Sequence, residues 1–469
     1  VTVTPIGWVL IPFSLIWLIA SKKWLFFLTI FFIPFSATCV MEFHGGNSSH
    51  PVLASFYFGV LWIARSLLGY PRKGVAKLFV RFNIHELLLL CFFLVCLLSL
   101  MVPIFFGGGM SVYQMDTMQM VPIGFDFNRV IHLFNLWYGV VFSIALSKLT
   151  SSEDTLITVV KVYIVALIFA FIWGVCEIVC SYMEIYFPYF LFNNTQSHVD
   201  LATGLVSRVF HSIGIVRMAS VADEPSILAQ NFLIGIAVLA AFTGCGSALF
   251  SKSFDRLLIV FLSAGLLLTW SSSGIIGLVA LFVVLTYLFT KNKYGVPMAA
   301  LFIIAIMAVG LFFYSVQDNS IFQAVITGKL DSDSGTVRSD SIFMAWLAIA
   351  QSPLFGLGWG SVSSFDLVFF LLSNTGIFGF FVFFVFVFFV AGELLSKFNS
   401  VNGRLSLIYI SAFSAFMSYW FVASIAGWSL NFQHSFFVIG VSLAALRIAA
   451  YRHKSVSPNI LSGDGYGRM

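Results

Sequence analysis

The sequence predicts an all-α integral membrane protein with about 13 transmembrane helices, and three observations carry that expectation. Of its 469 residues, 60% are hydrophobic and only 9% are charged, a balance that no single water-solvated core can absorb. Apolar stretches of about 17 to 25 residues recur along the chain, each able to cross roughly 30 Å of hydrocarbon as a helix with internally satisfied backbone groups. The Lys and Arg residues are dense in alternate connections and sparse in the others.

The apolar stretches fall at about 4–20, 24–41, 52–68, 86–104, 130–147, 156–180, 226–246, 257–270, 274–290, 296–314, 365–391, 405–423 and 435–450. The first lacks a basic region before its apolar run and is read as a retained helix, not a cleavable signal. The seventh opens at Asp223-Glu224-Pro225-Ser226, a helix start with Pro at the first position and acids ahead of it. The eighth and ninth are joined by a tight turn, and the eleventh opens after a Gly-rich loop. Residues 1–469 thus read as one polytopic membrane domain, with two larger external loops at about 181–225 and 315–364 where short helices and turns are expected to line a cavity.

Orientation follows from the excess of basic residues in connections that stay in the cytoplasm. Nineteen of the 24 Lys and Arg residues fall into seven cytoplasmic groups, among them Lys148, Arg404 and Arg447. The five on the external side are Arg129, Arg208, Arg217, Lys329 and Arg338. The net charge of +5 is therefore spread over short stretches and forms no continuous basic surface, which excludes a nucleic-acid partner. The six cysteines lie within or beside apolar stretches without metal-site company and are expected to be buried thiols.

A smaller external loop at about 105–129 begins Phe-Phe-Gly-Gly-Gly-Met, but it lacks the flanking strand and the Gly-Lys-Ser/Thr ending of a phosphate cradle. No inverted duplication marks a secondary transporter. Glu177 is the one acid placed well inside a helix, either as a functional group or as a structural acid bonded to a neighbour.

Arg217 lies six residues before Asp223 in a stretch otherwise apolar enough to lie against a bilayer, and a guanidinium there needs an anionic partner. A pyrophosphate suits it, because the planar fork donates two parallel hydrogen bonds to phosphate oxygens. Arg338 offers a second fork, with an ion pair to Asp331, Asp333 or Asp340 as the alternative. The Asp331, Asp333 pair reads as a solvated turn, so neither a metal nor a cofactor is expected.

Four phrases then carry a resemblance: residues 217–229, read as Arg, spacer, acid-Pro-Ser and small residue; Leu268 to Gly274, read Leu-Thr-Trp-Ser-Ser-Ser-Gly; Arg338 followed by Ser-Pro-Leu-Phe-Gly-Leu-Gly-Trp-Gly at 352–360; and Leu-Leu-Ser-Asn-Thr-Gly-Ile-Phe-Gly at 371–379. In this order they resemble the bacterial O-antigen polymerases, within the wider group that includes O-antigen ligases. The resemblance covers roughly the second half of the chain. Ligases of the group carry a His-Asn pair where this chain has Phe365-Asp366, and that departure favours a polymerase.

What the resemblance implies is a GT-C-like, metal-independent glycosyltransferase of the bacterial inner membrane, with its active site facing the periplasm. Donor and acceptor would be oligosaccharides linked to undecaprenyl pyrophosphate, with membrane lipid and a chain-length regulator protein as further partners. Arg217 and Arg338 would stabilise the leaving pyrophosphate, and Glu224, Asp223 or His211 would orient or deprotonate the attacking hydroxyl. Arg208, Arg129, Ser226 and His434 are expected to contact substrate. A ligase passing glycan to lipid A core, and a flippase or exporter of lipid-linked oligosaccharide, are the alternatives.

Overall fold

The computed structural model of the chain describes residues 1–45, 48–68, 82–114, 119–124, 127–150, 152–195, 209–210, 215–290, 333–401, 403–427 and 429–456. Its helices are α1 (Pro5–Ala20), α2 (Lys22–Phe31), α3 (Ala54–Leu68), α4 (Ile84–Ser99), α5 (Met101–Phe105), α6 (Phe127–Leu149), α7 (Glu153–Tyr182), α8 (Tyr189–Phe192), α9 (Pro225–Gly244), α10 (Lys252–Leu268), α11 (Ser272–Thr290), α12 (Asp333–Gln351), α13 (Leu367–Ser400), α14 (Arg404–Ile425) and α15 (Gln433–Val456). Among the described residues seven helical stretches are long and apolar enough to cross a membrane, and three shorter apolar helices accompany them. The chain is a multi-pass membrane protein.

α9 is apolar on every side, as a helix surrounded by protein must be, and 89% of its apolar window is buried. It packs against α7, α10, α11 and α14. Close approach is set by small residues: a Cβ on Gly235 would meet Leu167 of α7, and one on Gly277 would meet Leu233. α6 and α15 run side by side in the same way, with Gly139 against the Phe436 ring and Gly440 against Leu146.

The two ends of the bundle differ in charge. At one end the buried Glu86 carboxylate, in a capping box with Asn83, lies 3.8 Å from Lys148 and 2.8 Å from Arg447. His85 meets Glu393 at 2.8 Å, and Arg404 meets Asp154. Lys148, Arg404 and Arg447, assigned to one side by the basic-residue count, thus gather at one end. α6, α9, α11, α13 and α15 all start at the other end.

The chain departs from its hydropathy in three places. The stretch expected to span at 24–41 forms only the ten-residue α2 and then turns at Pro34 into β2 (Cys39–Gly45). Apart from the exposed Trp24, its apolar residues are wholly or partly buried by protein, and its backbone bonds to the connection beyond α7. Cys39 N donates to Asn194 Oδ1 at 2.7 Å, and the Thr38 hydroxyl donates to the Phe192 carbonyl at 2.6 Å. The helices are also joined by small antiparallel sheets, β1 (Thr2–Val3) with β2 and β3 (Ser48–Leu53), β4 (Ser111–Gln114) with β5 (Gln119–Pro122), and β6 (Val209–Phe210) with β7 (Ile215–Val216). The external loop at 315–364, expected as short helices and turns, contains the 19-residue α12, whose Val337, Phe343, Trp346 and Leu347 are exposed. The span expected at 296–314 lies outside the described residues. Of the cysteines, only Cys39 and Cys96 are buried, while Cys91 and Cys176 are exposed on their helices.

Candidate functional site

The segment between β7 and α9 is held from three sides. The Glu177 carboxylate, fully buried near the end of α7, accepts the backbone N–H groups of Ala219 (3.1 Å) and Ser220 (2.6 Å). Hydrogen bonds to a charged acceptor are of the stronger kind. Ser220 is in the left-handed region with φ +56°, and its hydroxyl donates to the Ala170 carbonyl at 2.6 Å. Asn193 donates to the carbonyls of Ser220 and Ala222, both at 3.1 Å. The structural alternative for Glu177 is the one this geometry realises.

This anchored loop presents Arg217. Met218 N donates to the Leu268 carbonyl at 3.0 Å, and Arg217 Nε donates to the Thr269 carbonyl at 3.2 Å. The Leu268 to Gly274 phrase therefore touches the Arg217 phrase directly. It turns through Trp270, with φ +48°, while the Ser271 and Ser273 hydroxyls meet at 2.7 Å. Burial lowers the Arg217 pKa to about 10; the charge of Glu224 opposes that shift and the charge of Arg338 adds to it. The two arginines and Glu224 thus share one electrostatic neighbourhood.

Glu224 is the N-cap residue of α9, with Pro225 at the first helical position, and its Oε2 accepts the Ser226 hydroxyl at 2.9 Å. Asp223 turns the other way, accepting the Ser36 hydroxyl at 2.5 Å while its N–H donates back to Ser36 Oγ at 3.2 Å. Arg338, on the first turns of α12, stands with its guanidinium 5.6 Å from the centre of the Phe365 ring, within cation–π range. Asp366 beside it is the N-cap of α13, accepting the Phe369 N–H at 2.7 Å and the Ser364 hydroxyl at 2.9 Å. Burial raises the Asp366 pKa against the lowering effect of these bonds.

The Gly-rich loop and the phrase that follows it clasp one another. α13 is broken at Gly376, φ +64° and ψ −167°. Around the break Leu357 N donates to the Ser373 carbonyl at 2.8 Å, Gly358 N to the Asn374 carbonyl at 3.0 Å and Ile377 N to the Pro353 carbonyl at 2.9 Å. Asn374 Oδ1 accepts the N–H groups of Ser361 (2.9 Å) and Val362 (3.0 Å). A Cβ on Gly376 would stand 2.2 Å from the Leu354 carbonyl oxygen, and one on Gly356 2.3 Å from the Asn374 backbone.

Arg129 is buried at the start of α6, at the same end of the bundle. His434, on the first turn of α15, lies deeper: it is fully buried, with Nε2 3.2 Å from Gln230 Oε1 and Nδ1 3.5 Å from Asn231 Nδ2. Arg208, His211, Lys329 and Asp331 lie outside the described residues. His132, three residues beyond Arg129 and packed against Gly360, is at this end too; its only sequence signal was its i+3 spacing from Arg129. Among the described residues no group of three or more His, Cys, Asp or Glu side chains is placed to hold a metal. A small cavity of about 30 Å³ between α7, α9, α14 and α15, lined by Leu156, Val160, Ile408 and Val441, lies toward the ion-paired end and is apolar, so it is distinct from this site.

The bundle of apolar helices, broken at Gly376, is that of a multi-pass membrane protein. Residues 257–367 match the family model described as O-antigen ligase, which supports a glycosyltransferase-like function in the O-antigen ligase and polymerase group, acting on lipid-linked sugars in lipopolysaccharide biosynthesis. The match takes in Thr269, Arg338 and the Gly-rich loop, while Arg217 and Gly376 lie outside it. None of the curated proteins matches the chain significantly.

Proposed function

We propose that the chain is an O-antigen polymerase. It transfers a growing glycan from undecaprenyl pyrophosphate to the non-reducing end of a lipid-linked repeat unit, at the periplasmic face of the inner membrane. The observation that supports this most is the shared electrostatic neighbourhood of Arg217 and Arg338. Glu224 offsets part of the repulsion between these like charges, and a pyrophosphate has the charge and the oxygen spacing to engage both guanidinium forks. The N-termini of α6, α9, α11, α13 and α15 at this end add to the same positive potential.

In the reaction the anomeric C–O bond to pyrophosphate breaks as the acceptor hydroxyl forms a new C–O bond, and the hydroxyl proton passes to a base. Negative charge builds on the leaving pyrophosphate, where each well-placed donor lowers the barrier by about 3 kcal/mol. Glu224 is the candidate base, oriented by Ser226 and coupled to Arg217; Asp223 and His211 follow it. Arg129, Arg208 and Ser226 would line the substrate path, and His434 would act from beneath it. No metal or cofactor enters this scheme, and a chain-length regulator is the expected protein partner.

The ligase reading draws on the description of the matching family model. Against it stands the Phe365-Asp366 pair, whose ring carries Arg338 and whose carboxylate caps a helix, where ligases of the group carry His-Asn. The test is complementation of a strain lacking the gene with Arg217→Ala, Arg338→Ala and Glu224→Ala variants, with surface glycan read on a gel at matched protein levels. Core bearing one repeat unit is the polymerase outcome, and core without any glycan is the ligase outcome. Single units trapped on the inner leaflet would make the chain an exporter and end the proposal.

A further inference from the structure

A file of hydrogen bonds runs from the middle of the bundle to Arg338. The Tyr163 hydroxyl of α7 donates to Asn231 Oδ1 at 2.8 Å. Asn231 Nδ2 donates to the Ile227 carbonyl at 2.9 Å and lies 3.5 Å from His434 Nδ1. His434 Nε2 lies 3.2 Å from Gln230 Oε1, and Gln230 Nε2 donates to the Ala426 carbonyl at 3.2 Å. The N–H of the next residue, Gly427, donates to the Phe365 carbonyl, and the Phe365 ring lies 5.6 Å from the Arg338 guanidinium.

The donor and acceptor roles follow from one another. Because Ala426 offers only a carbonyl, Gln230 must donate from Nε2 and accept on Oε1, so His434 carries its proton on Nε2. Its Nδ1 then accepts from Asn231 Nδ2, which leaves Asn231 Oδ1 for the Tyr163 hydroxyl. Reversing any member would set like against like in a buried place. Gly427 closes the file: its φ is +140°, and a Cβ there would stand 2.6 Å from Gln230 Nε2.

We propose that Gln230, His434 and Gly427 are positioning residues for Arg338, which they control by fixing Phe365, the ring on which the guanidinium rests. The inference deepens the proposed function and rests on it for its catalytic meaning, but the placement of Arg338 is measurable without any reaction.

The experiment labels the purified protein in detergent micelles with phenylglyoxal and follows modification of Arg338 by mass spectrometry, with Arg404 at the ion-paired end as the internal reference. Gln230→Glu keeps the acceptor for His434 but puts an oxygen against the Ala426 carbonyl. Loss of the cation–π seat is expected to raise Arg338 modification about threefold in this variant. Gly427→Ala should do the same, and Phe365→Leu, which removes the ring without touching the hydrogen bonds, serves where either variant fails to fold. In a transfer assay Gln230→Glu should lower kcat/KM about tenfold in the wild-type background and by less than about twofold in Arg338→Ala, since the two act through one group. Unchanged Arg338 labelling, or fully additive losses, would overturn the inference. A wild-type protein that transfers no sugar would instead overturn the proposed function and leave the labelling result standing.

Discussion

Nε of Arg217 is bonded to the carbonyl oxygen of Thr269 at 3.2 Å, so the plane of a guanidinium is set by the turn between α10 and α11. Lysine cannot copy that constraint, because it has neither the Nε–H nor the planar fork. Arg217→Lys is therefore expected to lose nearly as much transfer activity as Arg217→Ala, about 100-fold in kcat/KM, at normal protein levels. Recovery of most activity in the lysine variant would show that charge alone suffices.

The carboxylate of Glu177 is bonded to two backbone amides, and a neutral replacement weakens both. Glu177→Gln is expected to cost about 1.5–3 kcal/mol of stability, read as a lowered Tm in detergent. Transfer activity should fall with it, because Ala219 and Ser220 are two and three residues from Arg217.

Gly376 and Gly392 lie in the same helix and should answer oppositely to alanine. At Gly376 the positive φ and the Leu354 carbonyl leave no room for a methyl group, and Gly376→Ala should cost about 3 kcal/mol or more. At Gly392 nothing lies within 4 Å of a new Cβ, and Gly392→Ala should stabilise by about 0.5–1 kcal/mol. Thermal unfolding of the two variants side by side checks both.

The Arg217 pKa of about 10 arises first from burial. Being below the value in the unfolded chain, it makes the charged group cost stability; that cost is fully present below pH 10 and fades only as pH rises further. From about pH 6 to about pH 8.5 the guanidinium is charged in both states, so kcat/KM should show no limb from Arg217 there.

Asp366 caps α13, a role that asparagine also fills. Asp366→Asn should leave stability and transfer nearly unchanged, whereas Asp366→Ala should cost about 1 kcal/mol. If Asp366→Asn abolished transfer while the protein stayed folded, the carboxylate would be the base.

Much of this was legible in the chain because it follows from local or additive properties. The basic-residue count gathered Lys148, Arg404 and Arg447 at one end, and Pro225 marked the start of α9. What escaped depends on contacts between distant segments. Hydropathy could not tell that residues 32–41 bury against the 190s connection and do not span, since both environments are apolar. The clasp between Gly356 and Gly376 and the contact of Thr269 with Arg217 join phrases that had been recognised only one by one. The burial of His434 comes from Gln230 and Asn231 of α9 and Tyr419 of α14, which its own stretch of sequence does not reveal.

The bonds of Glu177 also set an order of events during synthesis. Its two amide partners lie 42 and 43 residues further along the chain, beyond the end of α7. When that helix leaves the ribosome its carboxylate lacks these two amides until the later segment emerges. In a nascent chain halted before residue 219, the end of α7 that carries Glu177 should therefore stay more accessible to a water-soluble thiol reagent, read at the neighbouring Cys180.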